Sequence, residues 1–215
     1  MSYPQFKRRQ SGFTLIEIAI VLVIIGLLLG GILKGQELIT QGRIRNVAND
    51  FQSMTAAINL YQDRYRALPG DDAGAAARWT VPASAATSGN GNGIIAGPYS
   101  SGAAADESRL FWHHLRLAGL VGGATTAGDI GTANPPNAAS GVTGVQDGAF
   151  AIPGIVICSN NLPAKIAQAI DTQFDDGNAI TGTVRGAPGL VAGAAVPVAN
   201  YIDDGANFYT VCKAP

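Results

Sequence analysis

The chain has 215 residues, with 14 basic and 15 acidic side chains, a formal charge of −1 and only 13% charged residues. That balance builds no basic face for a polyanion, so nucleic acid is not expected as a partner. Scarce charge together with 28 glycines points away from a dense enzyme core and toward a membrane segment joined to a loop-rich, Ala/Gly-rich head.

Taken from the N-terminus, Lys7, Arg8 and Arg9 precede an apolar run from Phe13 to Leu33, broken only by Thr14, Glu17 and three glycines. Its 21 residues match the ~20 that a helix needs to cross ~30 Å of hydrocarbon. A secretory signal peptide fits less well, because its apolar part is ~7–15 residues long and ends in an A-x-A-like site, and neither feature is present. Orientation stays open on charge alone, since Lys34, Arg43 and Arg45 on the far flank balance the three basic residues on the near one. Glu17 is the anomaly, for a carboxylate in hydrocarbon costs several kcal/mol unless it reaches the headgroups or meets a partner.

The stretch KRRQSGFTLIEIAIVLVIIG resembles the processing site of a type IV prepilin or a type II secretion pseudopilin. The resemblance is close over the leader and the first helix, and elsewhere extends only to the general layout of a pilin head. It implies that prepilin peptidase, a membrane enzyme, cuts between Gly12 and Phe13, discards residues 1–12 on the cytoplasmic side and methylates the new amino terminus of Phe13. Glu17 then becomes the fifth residue of the mature chain, where the family keeps a glutamate. The ammonium of Phe13 in one subunit can neutralise Glu17 of another. Attraction and desolvation largely cancel in such a pair, so its main product is register between subunits. A glycine at position 12 also allows a peptidase to approach the backbone closely.

What the resemblance implies for function is a structural subunit, major or minor, of a type IV pilus. The alternatives are a pseudopilin of a type II secretion system, a tip-located adhesin or DNA-uptake minor pilin, and an unprocessed signal-anchored periplasmic protein. The expected partners are further pilin copies, the peptidase, an inner-membrane assembly platform and the membrane itself. The expected location is the inner membrane with a periplasmic head, followed by an extracellular pilus or a periplasmic pseudopilus. Residues 67–157 hold only Arg78, Arg109 and Arg116 as basic side chains, which argues against DNA.

Gly26 and Gly30, and Gly31 and Gly35, lie four apart and offer places where another helix can come close. The sequence departs from many major pilins at Lys34, where they carry a proline. Local melting on assembly would therefore rely on Gly30, Gly31 and Gly35.

Residues 34–66 continue the helix. Val47, Phe51, Met54, Ile58, Tyr61, Tyr65 and Leu68 recur in steps of four and three, an apolar stripe whose simplest partner is the chain's own head and whose alternative is a coiled coil. RALPGDD ends it, because Pro69 disfavours helix at Leu68.

The head, residues 67–215, is expected to be α+β and pilin-like, with a small antiparallel sheet and short helices against the long one. Between 67 and 147 only DESRLFWHHLRLAGLVGG reads as a clear element: a helix capped by Asp106 or Ser108, with Leu110, Phe111, His114, Leu115 and Ala118 on one side, closed by Gly119 or Gly122. His113 and His114 are adjacent, so they point about 100° apart and do not form a metal pair. SGNGNGII places Ser88, Asn90, Asn92 and Gly93 at calcium-loop positions, but Tyr99 stands where a bidentate glutamate is needed, and glycine-asparagine turns explain the stretch. AFAIPGIVICSN is a strand pair or one bent strand and FYTVCKA another strand. Between them Leu162, Ile166, Ile170 and Phe174 mark a helix with Pro163 in its first turn and Gly177 past its end.

Asp171, Asp175 and Asp176 crowd the C-terminal end of that helix, where the dipole disfavours anions. A bound calcium ion, as in major secretion pseudopilins, pairing with Arg185 or Lys213, or plain solvation would each relieve this. Cys158 and Cys212 are the only cysteines and fall in strand-like segments. They pair in an oxidising compartment, as the C-terminal staple of pilin heads implies, or remain free thiols otherwise. No Ser/His/Asp, Cys/His or paired-carboxylate arrangement stands out, so no enzyme activity is expected.

Overall fold

The computed structural model describes residue 12 and residues 14–193, 196–197 and 199–215. Helix α1 runs from Leu15 to Tyr65 without interruption, through Gly26, Gly30, Gly31 and Gly35. It ends where Arg66 turns to positive φ (54°), three residues before Pro69. Met1–Gln41 and Gly42–Pro215 form two compact units.

In the first unit every side chain from Leu15 to Lys34 is exposed. An 18-residue window of α1 reaches a mean hydropathy of 2.9 with none of it buried. Apolar surface on this scale is not left to water.

In the second unit α1 buries Val47, Phe51, Met54, Ile58 and Tyr61 of the stripe read from the sequence, together with Ala48 and Ala57, while Tyr65 is only half-buried and Leu68 lies past the helix end. Its partners are Phe111, Trp112, Leu115, Ile157, Leu162, Ile166, Ile170 and Tyr209 in one core. Each large side chain buried there contributes about 1.5–3 kcal/mol. The face is thus covered by the chain's own head, and the coiled-coil alternative loses its surface.

The sheet is antiparallel throughout, in the order β1-β2-β4-β3. Its strands are β1 (Thr143–Ala149), β2 (Ile152–Pro163), β3 (Val184–Pro188) and β4 (Phe208–Lys213). β1 and β2 form a hairpin whose two-residue turn, Phe150-Ala151, takes positive φ at both positions (50° and 57°). Such turns usually carry Asn-Gly, but here Phe150 is buried in a second core with Tyr99, Ile152, Val156, Cys158 and Cys212. Alternation along β2 sends Ile157 to the helix-side core and Val156 and Cys158 to this one.

Several boundaries differ from the sequence reading. Residues 67–147 hold more than one element: α2 (Ala75–Arg78), a 3-10 turn (Pro82–Ser84), α3 (Glu107–Leu117), α4 (Asp129–Thr132) and most of β1. β3 falls in a stretch that carried no strand signal. α5 spans Ala164–Phe174, so Leu162 and Pro163 end β2 instead of opening the helix. α3 is buried on nearly every side, from Glu107 to Arg116, and not along one stripe. Asp106 is its N-cap residue but makes no side-chain cap, because its carboxylate accepts Ser101 Oγ at 2.5 Å, and Ser108 Oγ donates to Pro98 O.

Candidate functional site

Two residues at the start of α1, Thr14 and Glu17, build a closed local arrangement. Glu17 Oε2 accepts the backbone N–H of Thr14 at 2.8 Å and its hydroxyl at 2.7 Å, while Thr14 Oγ1 accepts the N–H of Glu17 at 3.3 Å. With Leu15 as the first helical residue, Thr14 is the N-cap and Glu17 the third position, which is the reciprocal capping box of a T-x-x-E sequence. Two N–H groups that the helix start leaves without partners are satisfied, and the carboxylate sits at the positive end of the helix dipole. The sequence spelled this out in Thr14-Leu-Ile-Glu17, a signal that expectations centred on intermolecular pairing passed over. Gly12 is exposed; Phe13 lies outside the described residues.

Gly26, Gly30, Gly31 and Gly35 have open space where a Cβ would stand, so nothing among the described residues occupies these notches.

Cys158 and Cys212 are directly opposed in the β2–β4 register and joined by a disulfide, both fully buried. The bond ties the last strand to the centre of the sheet across 54 residues. On the chain-entropy account a loop of that length contributes about 4 kcal/mol.

Asp171, Asp175 and Asp176 each have their own partners. Asp171 is fully buried and accepts Tyr201 O–H at 2.8 Å and Gly177 N–H at 3.0 Å; burial pushes its carboxyl up against these bonds. Asp175 takes Thr183 N–H and Val184 N–H, and Asp176 takes Thr181 Oγ at 2.5 Å and Asn178 N–H at 2.9 Å. Asp175 ties the end of α5 to the start of β3, Asp176 closes the loop between them and Asp171 reaches across to Tyr201. Arg185 donates instead to Phe150 O and Lys213 to Ala214 O. Among the described residues no three His, Cys, Asp or Glu side chains form a group able to hold a metal ion.

The histidines of α3 are used by the backbone. His113 Nε2 meets Thr125 O at 2.9 Å; His114 Nδ1 accepts Gly70 N–H at 2.9 Å and Nε2 meets Thr87 O at 2.8 Å. The SGNGNG loop is held by two carboxylates that sequence reading did not single out. Asp71 accepts N–H groups of Gly91, Asn92 and Gly93 at 2.6, 3.1 and 2.7 Å, and Glu107 accepts those of Asn90 and Ala96, both at 2.9 Å. Gly89 is required here, because a Cβ would run into Gly70 O. Next to it Asp72 binds Tyr61 O–H at 2.7 Å and Arg78 at 2.6 Å; burial raises its carboxyl, but these bonds hold it below the usual carboxylate range.

An apolar, uncovered N-terminal helix running into an α+β head with a four-stranded antiparallel sheet is a pilin-like architecture. Residues 7–33 match the prokaryotic N-terminal methylation motif. That motif is the signature of the type IV prepilin and pseudopilin family. No curated protein and no solved structure matches the chain.

Proposed function

We propose that this chain is a structural subunit, a major or minor pilin, of a type IV pilus, and that it catalyses no reaction of its own. The observation that carries the reading is the methylation motif at residues 7–33 laid over a helix whose apolar side chains from Leu15 to Leu33 are exposed, with no partner among the described residues. Lipid covers that surface before assembly and neighbouring helices cover it afterwards. Prepilin peptidase cuts between Gly12 and Phe13 and methylates Phe13, and the subunit enters the filament through an inner-membrane platform with its head in the periplasm.

The capping box refines the part played by Glu17. Oε2 is engaged by Thr14, while Oε1 makes no hydrogen bond among the described residues. The ammonium of a neighbour's Phe13 can approach Oε1 without breaking the cap. Register and helix start are then set by one side chain. The head's size favours a pilus over a secretion pseudopilus. The test is mass analysis of the N-terminus of native material together with immunogold labelling: N-methyl-Phe13 and label along surface filaments support the reading. An intact leader overturns it, and processed protein confined to periplasmic structures moves it to the pseudopilin.

A further inference from the structure

The chain holds two Asn-Gly pairs, Asn90-Gly91 and Asn92-Gly93, side by side in an exposed loop of the second unit. Such a pair is chemically weak, because a glycine nitrogen, with no Cβ in the way, can close onto the preceding side-chain amide. Gly91 N and Gly93 N are the nitrogens that would attack, and both are occupied. Gly91 N–H donates to Asp71 Oδ1 at 2.6 Å and to Asp71 O at 3.0 Å, and Gly93 N–H donates to Asp71 Oδ2 at 2.7 Å. The side-chain amides are engaged as well: Asn90 Oδ1 accepts Asn92 N–H and Asn92 Oδ1 accepts Ile94 N–H, both at 2.9 Å. Asp71 itself is buried, so little water competes for its oxygens.

Deamidation would take a fixed course here. The glycine nitrogen gives its proton to water and bonds to the asparagine Cγ; the Cγ–N bond of the side-chain amide breaks, and that nitrogen leaves as ammonia. Water then opens the cyclic imide at either carbonyl, leaving aspartate or isoaspartate. Nothing is oxidised or reduced, and water is the only co-reactant. The attacking nitrogen must shed its hydrogen bond and carry negative charge in passing, and a carboxylate at 2.6 or 2.7 Å opposes both. The loop therefore has to open before it reacts, and the rate follows the open population. Asn90 Oδ1 and Asp71 Oδ1 share the N–H of Asn92, at 2.9 and 3.1 Å. A carboxylate at residue 90 would set a second negative charge on that one donor and oppose closing the loop again.

We propose that residues 90–93 are a deamidation site held in check by Asp71, whose carboxylate keeps both glycine nitrogens from attacking and so preserves Asn90 and Asn92 as amides. Asp71 is then a chemical guard as well as a structural hold on the loop. Glu107, which binds the N–H groups of Asn90 and Ala96, bonds neither attacking nitrogen and gives no such protection.

The experiment incubates the full chain in detergent micelles in warm, mildly alkaline buffer and follows the amide-to-acid mass change by tryptic mapping. Asn90 and Asn92 fall in the peptide 79–109, apart from position 71 in the peptide 67–78, and fragmentation resolves the two sites. Native wild type is expected to convert at both sites about tenfold or more slowly than the urea-unfolded head, because at least one bond to a charged acceptor must open first. Asp71→Ala brings the rate close to that of the unfolded head, while Glu107→Gln stays near wild type. Asp71→Asn keeps the shape of the side chain, serves if Asp71→Ala unfolds, and speeds at least one of the two sites. Wild type converting as fast as the unfolded head overturns the proposal, as does a folded Asp71 variant that converts no faster than wild type. Equal acceleration by Glu107→Gln overturns it too, since the order of the loop and not Asp71 would then be the brake.

Discussion

Thr14 and Glu17 hold each other at the start of α1 through a reciprocal pair of side chain to backbone bonds, with Glu17 Oε2 at 2.8 Å from Thr14 N and Thr14 Oγ1 at 3.3 Å from Glu17 N. Helix capping and intermolecular pairing are therefore two roles of one carboxylate, and they separate by mutation. Thr14→Val removes the cap and costs the helix start about 1 kcal/mol while leaving an anion for a neighbour's ammonium. Glu17→Ala removes both. Glu17→Ala is expected to be inserted and cleaved yet to lower filament yield about tenfold or more, because the ammonium is left unpaired. Thr14→Val should retain most of the yield. Equal loss in both variants would reduce Glu17 to a helix cap.

His114 makes the head sensitive to acid. Its Nδ1 accepts the Gly70 N–H, so Nε2 carries the proton and donates to Thr87 O; a second proton on Nδ1 would face a donor. Burial, partly opposed by the Thr87 bond and by Asp72, lowers its pKa to about 4. Tyr61 stacks on the ring at 6.3 Å, and the positive Arg78 and neighbouring His113 oppose protonation further. The folded pKa lies below the unfolded value of ~6.5. The stabilisation is complete above pH ~6.5 and is lost as pH falls toward about 4, because the unfolded state takes up the proton first. Unfolding midpoints measured at pH 7 and pH 4.5 should drop in the wild type, and the part of the drop due to this residue should vanish in His114→Gln.

The disulfide is the head's largest single cross-link. Cys212→Ser is expected to lower stability by about 4 kcal/mol on the loop-entropy account, with Cys158→Ser/Cys212→Ser giving the same loss. Both cysteines are fully buried, so reductant should act only after partial unfolding, and the reduction rate should rise steeply with denaturant. A wild-type midpoint insensitive to full reduction would remove this contribution.

Local patterns made part of the molecule legible. The 7–33 motif, the stripe from Val47 to Tyr61 and the histidine-bearing α3 each announce themselves within one continuous segment. What stayed hidden depends on distant partners. β3 is Val-Arg-Gly-Ala-Pro, with little strand propensity, and exists because β4 offers it a ladder from Tyr209 to Lys213. β1 begins in Thr-Gly, and Gly144 is there because a Cβ would meet Tyr99 O. The Asp trio at α5 left calcium, pairing with Arg185 or Lys213 and plain solvation open in the sequence; the fold turns these carboxylates to Tyr201, Thr181 and the N–H groups of Gly177 and Val184, distant partners that no local pattern announces. Trp112 and Thr143 are unremarkable in sequence, and only the fold shows the indole N–H and the hydroxyl buried without a partner among the described residues.

Asp71 offers the sharpest test of how the irregular part of the head is held. Three consecutive N–H groups, of Gly91, Asn92 and Gly93, converge on its two oxygens, and Asp71 itself is 4% exposed. Bonds to a charged acceptor contribute ~1.5–3 kcal/mol each at best, and such groups are not additive. Asp71→Ala is therefore expected to cost about 3 kcal/mol overall. Asp71→Asn should cost less, since one amide oxygen can still accept while the NH₂ faces donors. Amide exchange gives the localised readout: protection at 91–93 should collapse in Asp71→Ala, while the amides of Asn90 and Ala96, held by Glu107, keep most of theirs. Loss of protection spread evenly over the head would mean that Asp71 serves global stability and not this loop.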